Sequence, residues 1–140
     1  MPKAQSRVRV KRVYDDPERD DGFRVLVDRL WPRGLSRERA AVDLWLKEVA
    51  PSTELRRWYH AHMERWDEFR KRYESELERG SALGELRAVV REHSKDGGVT
   101  LVFGSRDVEH NHALVLRDAL SGGGAKRQGG SLASFPPRAP

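Results

Sequence analysis

The sequence predicts an α/β protein: a small, mostly parallel sheet of at least three strands, flanked by about five helices in a single domain. Residues 25–27 are apolar throughout, and residues 99–103 are apolar except for Thr100, which is typical of strands buried on both faces of a parallel sheet. A long segment with helical periodicity separates these two runs, and it can serve as the crossover that parallel strands require.

Patterns of apolar residues predict three strands. Residues 7–14 alternate basic side chains with valine, which predicts a half-exposed strand near an edge of the sheet. An acidic loop punctuated by proline and glycine follows at residues 15–22. The second strand is predicted at residues 23–30, and the third at residues 99–103.

Capping residues and stop signals delimit the helices. Ser36 caps the first helical region, which continues through residues 43–49 until Pro51. Ser52 caps the second, and Gly80 ends the third. The later helical regions are predicted at residues 64–79, 82–93 and 108–120.

Composition excludes several classes of protein. The chain has no cysteine, which removes disulfides, thiolate metal sites and cysteine nucleophiles, and which fits a cytoplasmic location. No apolar run approaches the roughly 18 residues of a membrane span, so no membrane association is predicted. The acidic loop at residues 15–21 lacks the glycine and final glutamate of a calcium loop. We predict neither a metal nor a cofactor.

The formal net charge of +5 is unevenly distributed. Residues 1–12 carry five basic and no acidic side chains, and residues 121–140 carry three basic and none acidic, so residues 13–120 carry a net charge of −3. We predict a single domain over residues 1–120 and a disordered basic tail, rich in Gly, Ser and Pro, over residues 121–140. The basic ends keep nucleic-acid binding open as an alternative function.

Half of a candidate site follows the second strand, where ligands gather in open α/β sheets. Arg29, Trp31 and Arg33 suit a planar or phosphorylated ligand, through stacking and bidentate contacts. The alternative is that the two arginines pair with nearby carboxylates and hold the turn. Asp28 and Gly34 complete this segment.

The other half follows the third strand. A helix N-terminus after Gly104 would offer backbone amides to an anion, with Ser105 and Arg106 adding a hydroxyl and a guanidinium. Asp107 is the predicted cap of that helix. His112 faces inward, either as a packed, hydrogen-bonded histidine or as an acid/base group.

A stripe of aromatic residues at helical spacing admits two interpretations. Core packing between helices is favoured over a platform for stacking bases. The stripe consists of Trp45, Trp58, Tyr59, Trp66, Phe69 and Tyr73.

Several ordered motifs resemble the YeaO-like branch of the bacterial domain-of-unknown-function 488 (DUF488) superfamily. They are Val-Leu-Val-Asp-Arg-Leu-Trp-Pro-Arg-Gly at 25–34, Trp-Leu-Lys-Glu-Val-Ala-Pro-Ser at 45–52, Glu-Arg-Trp-Asp-Glu-Phe at 64–69 and Arg-Asp-Val-Glu-His-Asn-His at 106–112. The resemblance covers residues 7–120 and implies a small α/β domain without implying an activity. It also implies that His110 and Asn111 belong to the site.

Other branches of that superfamily often have a Cys-His-Arg element in the last helix, where this chain has Asn111-His112-Ala113. The resemblance therefore implies that thiol chemistry is absent and that only the histidine remains.

The leading hypothesis is a site for an anionic small molecule between the ends of the second and third strands. Arg29, Arg33 and Arg106 would hold a phosphate, carboxylate or nucleotide-like group, and Trp31 would stack on it. If the protein is an enzyme, it is a hydrolase or transferase with His112 as the acid/base, oriented by Asp28. The alternatives are a nucleic-acid-associated protein and a purely structural cluster or homodimer contact; the oligomeric state stays open.

Overall fold

The computed structural model describes residues 8–123, and its centre is a four-stranded parallel sheet. The strands are β1 (Val8–Arg12), β2 (Phe23–Leu26), β3 (Leu44–Trp45) and β4 (Val99–Phe103), in the order β1-β4-β2-β3. The predicted α/β class and parallel sheet are confirmed, and β1 lies at an edge, as its alternating pattern predicted. The order of the strands had no signal in the sequence.

Five α-helices accompany the sheet: α1 (Arg37–Ala40), α2 (Thr53–Ala61), α3 (Trp66–Arg79), α4 (Ala82–Glu92) and α5 (His112–Asp118). Ser36 and Ser52 cap α1 and α2 through their hydroxyls, as predicted. A π-helical turn at Ala119–Gly123 ends the described chain. Residues 121–123 of the predicted tail therefore lie in this turn, and residues 124–140 lie outside the described residues. Among those described, no helix is both long and apolar enough to cross a membrane.

The main core lies between one face of the sheet and helices α2 to α5. Val25 and Leu101 project from neighbouring strands into it and are fully buried. The aromatic stripe contributes Phe69 and Tyr73 to this core, which confirms the packing interpretation for them. The opposite face carries a smaller apolar cluster around Leu26, which is covered by loop residues rather than long helices.

A polar cluster fastens the second face of the sheet. Arg24 is buried and donates hydrogen bonds to Asp21 (2.6 Å), to the Ala40 carbonyl (2.8 Å) and to the Ala41 carbonyl (3.1 Å). Lys11 also reaches the Asp21 carboxylate, at 3.1 Å. These bonds hold the loop after β1 and the segment after α1 against β2.

The predicted helix over residues 43–49 is wrong. Leu44 and Trp45 instead pair in parallel with β2, and residues 47–49 form a single 3-10 turn. The Leu46 amide donates to the carbonyl of Leu26, and the Asp43 side chain accepts the Arg24 amide. Hydrogen bonds to the otherwise open edge of β2 therefore replace the intrahelical bonds.

The last helix begins later than predicted. The Asp107 carboxylate accepts the amides of Glu109 and His110 in a local turn, so it does not cap a helix. Asn111 is the actual N-cap, through its bond from the Leu114 amide. The helix N-terminus predicted at residues 105–108 as an anion site is thus absent from that position.

Candidate functional site

A cavity of about 240 Å³ opens at the carboxyl ends of β2 and β4. Because the two strands are parallel, the loops that follow them meet at this edge of the sheet. Helix α2 and the turn after it form the opposite wall. The cavity is lined by Asp28, Arg29, Leu30, Ala50, Pro51, Arg56, Tyr59, His60, Met63, Phe69, Ser105, Asp107, His110, Asn111 and His112.

Asp28 and His112 connect the two strand ends. One Asp28 oxygen accepts the Gly104 amide at 2.8 Å, and the other lies 3.1 Å from Nε2 of His112. The same Nε2 lies 3.0 Å from the carbonyl oxygen of Val27. A carbonyl only accepts, so Nε2 carries the hydrogen and Nδ1 holds the free lone pair of the neutral ring. His112 is therefore hydrogen-bonded, as the packing interpretation requires, and also lines the cavity.

The Asp107 carboxylate is engaged by its own loop. Its Oδ1 accepts two backbone amides at 3.0 Å each, which stabilise its negative charge locally. Asn111 is buried and donates to the Asp107 carbonyl at 2.8 Å while it caps α5. The amide at position 111 thus shapes the loop that carries Ser105 and His110.

Two arginines line the cavity without a carboxylate partner. Arg29 donates only long hydrogen bonds, to the carbonyls of Ala50 (3.3 Å) and Pro51 (3.5 Å). Its Nε and that of Arg56 are buried, and neither has a hydrogen-bond partner among residues 8–123. Neither guanidinium forms an ion pair within that range. Positive charge at the cavity is therefore not neutralised by contact.

Tyr59 supplies a neutral donor. Burial and, to a lesser degree, the Asp107 carboxylate raise the pKa of Tyr59 above its usual value. Its phenol therefore stays protonated at neutral pH and retains a hydrogen to donate. The Tyr59 ring packs on the Phe69 ring, with the centroids 4.6 Å apart. The ring of Trp66 packs on the His110 ring, with the centroids 4.9 Å apart.

Four predicted ligand-binding residues do not line this cavity: Trp31, Arg33, Gly34 and Arg106. Trp31 belongs to the small cluster on the opposite face of the sheet, where it contacts Trp45 edge-on and donates to the Leu35 carbonyl. Arg33 and Arg106 are exposed. The predicted site segment after β2 is therefore split between the two faces of the sheet. Leu30 lines the cavity, whereas Trp31 packs on the opposite face.

Helix α2 supplies residues that sequence reasoning did not place in the site. Arg56, Tyr59, His60 and Met63 follow the spacing i, i+3, i+4, i+7, which puts them along one side of a helix and the turn after it. Tyr59 belongs to the aromatic stripe, for which the sequence favours core packing over a base-stacking platform, and no motif marks Arg56. Polar and apolar residues that alternate along one side of a helix are the sequence signal that could have placed α2 at the site.

The basic side chains of β1 are engaged in hydrogen bonds and an ion pair within the protein. Arg9 donates to the carbonyls of Asp20 and Gly97, Lys11 pairs with Asp21, and Arg12 donates to the Ser105 carbonyl. In the described part of the chain, no three His, Asp or Glu side chains come together as metal ligands.

The comparisons with known proteins agree on one family. Residues 7–138 match the family described as "Inactive DUF488-N3 subclade", which extends past the 7–120 range spanned by the motifs. The uncharacterised protein Rv3073c of Mycobacterium tuberculosis is 49% identical over 118 residues, covering 84% of this chain and 97% of the relative. The uncharacterised protein YeaO of Escherichia coli is 42% identical over 113 residues, covering 81% and 96%. No solved structure matches.

The family match and both relatives span most of the chain. The predicted resemblance is confirmed: this chain belongs to the YeaO-like DUF488-N3i family.

Proposed function

We propose that this protein binds a small anion, with a carboxylate or phosphate group, in the cavity at the carboxyl ends of β2 and β4, without transforming it. The observation that carries the proposal is the pair Arg29 and Arg56. Both residues line the cavity, and neither guanidinium forms an ion pair with any carboxylate of residues 8–123.

The two acidic residues of the cavity form no ion pair with either arginine. The Asp107 carboxylate accepts two backbone amides, and the Asp28 carboxylate accepts the Gly104 amide. A charge-assisted hydrogen bond from a partly desolvated guanidinium contributes roughly 1.5–3 kcal/mol. Arg56 is therefore expected to account for a roughly 10- to 100-fold gain in anion affinity.

Binding is favoured over catalysis by two facts. The matching family is described as inactive, and position 111, where the resemblance puts cysteine in other branches, holds an asparagine used as a helix cap. His112 beside Asp28 keeps a second candidate open, namely hydrolysis or transfer at an anionic substrate with His112 as the acid/base. In that reaction Nδ1 would move the proton, because Nε2 is bonded to the protein.

The binding proposal is tested by titrating the full chain with inorganic phosphate and, separately, acetate, and following amide chemical shifts. We expect shifts centred on residues 104–112 and on α2. Arg56→Gln should weaken phosphate binding at least about tenfold. Arg57→Gln is the matched control, because Arg57 is the neighbouring residue on the same helix but is exposed and does not line the cavity. Equal weakening by both variants would indicate nonspecific charge attraction and refute the site.

The catalytic candidate is tested with a chromogenic aryl phosphate. We expect no release of phenolate above the buffer rate. Release that is lost in His112→Gln, with the melting temperature unchanged, would establish the enzyme instead.

Nucleic-acid binding through the basic first strand and the basic termini is the remaining alternative. Affinity for a duplex that falls steeply with salt, and that is lost when residues 124–140 are removed, would favour it over the small-anion site.

A further inference from the structure

On the basis of the proposed anion site, we propose that its ligand is amphipathic: an organic carboxylate or phosphate monoester whose body is one ring or a short hydrocarbon chain. The anionic head would lie against Arg56, and the apolar body would cover Leu30 and Met63. A bare inorganic anion would leave this second half of the cavity unoccupied.

Part of the cavity lining is apolar. Leu30, Pro51, Met63 and Phe69 form this part, together with the ring of Tyr59. Phe69 is buried and reaches the cavity from the main core. A few directed polar groups on an otherwise apolar lining are typical of sites for organic ligands.

Unusual exposure of apolar side chains marks the mouth of the cavity. Leu30 is 65% exposed and Met63 is 52% exposed, and among residues 8–123 only Tyr14 and Val108 are comparable large apolar residues. Clustered exposed apolar side chains beside a cavity indicate a surface that a ligand covers.

The size of the cavity limits the ligand. About 240 Å³ lies below the roughly 300–1,000 Å³ of sites for drug-sized ligands. One aromatic ring or short chain with its anionic group fits better than a complete nucleotide. This narrows the nucleotide-like substrate predicted from the sequence to a smaller organic anion.

Along α2 and the turn after it, the residues that would contact the anionic head of the ligand come before the residue that would contact its apolar body. Arg56 and His60 lie within the helix, whereas Met63 lies in the turn just beyond its end at Ala61. Cationic and imidazole groups thus precede the apolar contact along one side of the chain. A ligand lying along this side would meet charge at one end and the methionine at the other.

The test compares phenyl phosphate, inorganic phosphate and phenol on the full chain by titration calorimetry. A buried ring should make phenyl phosphate bind at least about tenfold more tightly than inorganic phosphate. Met63→Gln, which keeps the length of the side chain, should reduce the preference for phenyl phosphate over inorganic phosphate at least about threefold. Val108→Thr is the control, because Val108 is similarly exposed but does not line the cavity.

The outcomes separate this inference from the proposed function. Equal binding of phenyl phosphate and inorganic phosphate, both weakened by Arg56→Gln, would overturn the amphipathic ligand for a phosphate head and leave the anion site standing. Failure of both phosphates, and also of benzoate and acetate, to bind would overturn both proposals. Phenol binding as tightly as phenyl phosphate, without any effect of Arg56→Gln, would show an apolar pocket that does not select anions and would also overturn both.

A second arm identifies the head group. Benzoate and acetate replace the two phosphates, with benzyl alcohol as the neutral probe. Benzoate binding at least about tenfold more tightly than acetate, with the Met63→Gln effect intact, supports the inference for a carboxylate head. Loss of the ring preference in both arms contradicts it for either head.

Discussion

Replacing Asp21 by asparagine tests how the second face of the sheet is held. The side chains of Arg24 and Asp21 are only 4% and 7% exposed, and their ion pair is 2.6 Å long. Asp21→Asn leaves a buried guanidinium without its counter-charge, which costs about 3–5 kcal/mol in comparable sites. We expect about 3 kcal/mol, near the lower end of that range, because Arg24 keeps its bonds to two backbone carbonyls.

Urea unfolding measures this loss. With a denaturant slope of about 2 kcal/mol per molar, the midpoint should fall by about 1.5 M. Glu18→Gln is the matched control, because Glu18 pairs with the same Lys11 but is 70% exposed, and it should cost less than about 0.5 kcal/mol. If Asp21→Asn lowered the midpoint by less than about 0.5 M, the buried pair would not hold the loop as described.

Acid should selectively remove the contribution of Asp21. Burial raises the pKa of Asp21, but hydrogen bonds from the Glu18 amide, Lys11 and Arg24 outweigh burial and hold the pKa below its usual value of 3.8. The stabilisation is therefore complete above the unfolded-state pKa and is lost as the pH falls through the lower folded-state pKa. The difference in unfolding free energy between wild type and Asp21→Asn should shrink below pH 3.8; a constant difference down to pH 2 would contradict this assignment.

Three further substitutions test the core, a cap and a turn by the same urea assay. Tyr73→Phe should cost about 1–3 kcal/mol, since the buried hydroxyl donates to the Val49 carbonyl at 2.5 Å and the substitution removes that donor; an unchanged midpoint would refute that bond. Asn111→Ala should cost about 1 kcal/mol or more through loss of the α5 cap and of the bond to the Asp107 carbonyl; an unchanged midpoint would refute the cap. Gly22→Ala should cost about 2 kcal/mol or more, because φ is +67° and the added Cβ would overlap the Gly98 carbonyl; a neutral result would mean that this turn relaxes freely.

The candidate site was only partly predictable. Asp28, Arg29 and His112 follow or face strand ends, and the rule that ligands gather there placed them correctly at one edge of the sheet. Trp31 is only two residues from Arg29, yet it packs on the opposite face. Arg56 is distant in sequence from both strands. Local patterns carry no information about which side of the sheet a loop crosses, because that depends on packing between segments far apart in the chain.

The sequence by itself determined the family, the parallel sheet and the exposed edge strand, because period-two alternation, apolar runs and ordered motifs are local properties. Tertiary structure decided the rest. The two-residue strand β3 exists because β2 had an open edge to pair, and α5 begins at His112 because Asn111 rather than Asp107 became the cap. In both cases the local sequence is compatible with either structure: a helix or a strand at residues 44–45, and a cap at Asp107 or at Asn111. Only long-range hydrogen bonds and packing distinguish the two.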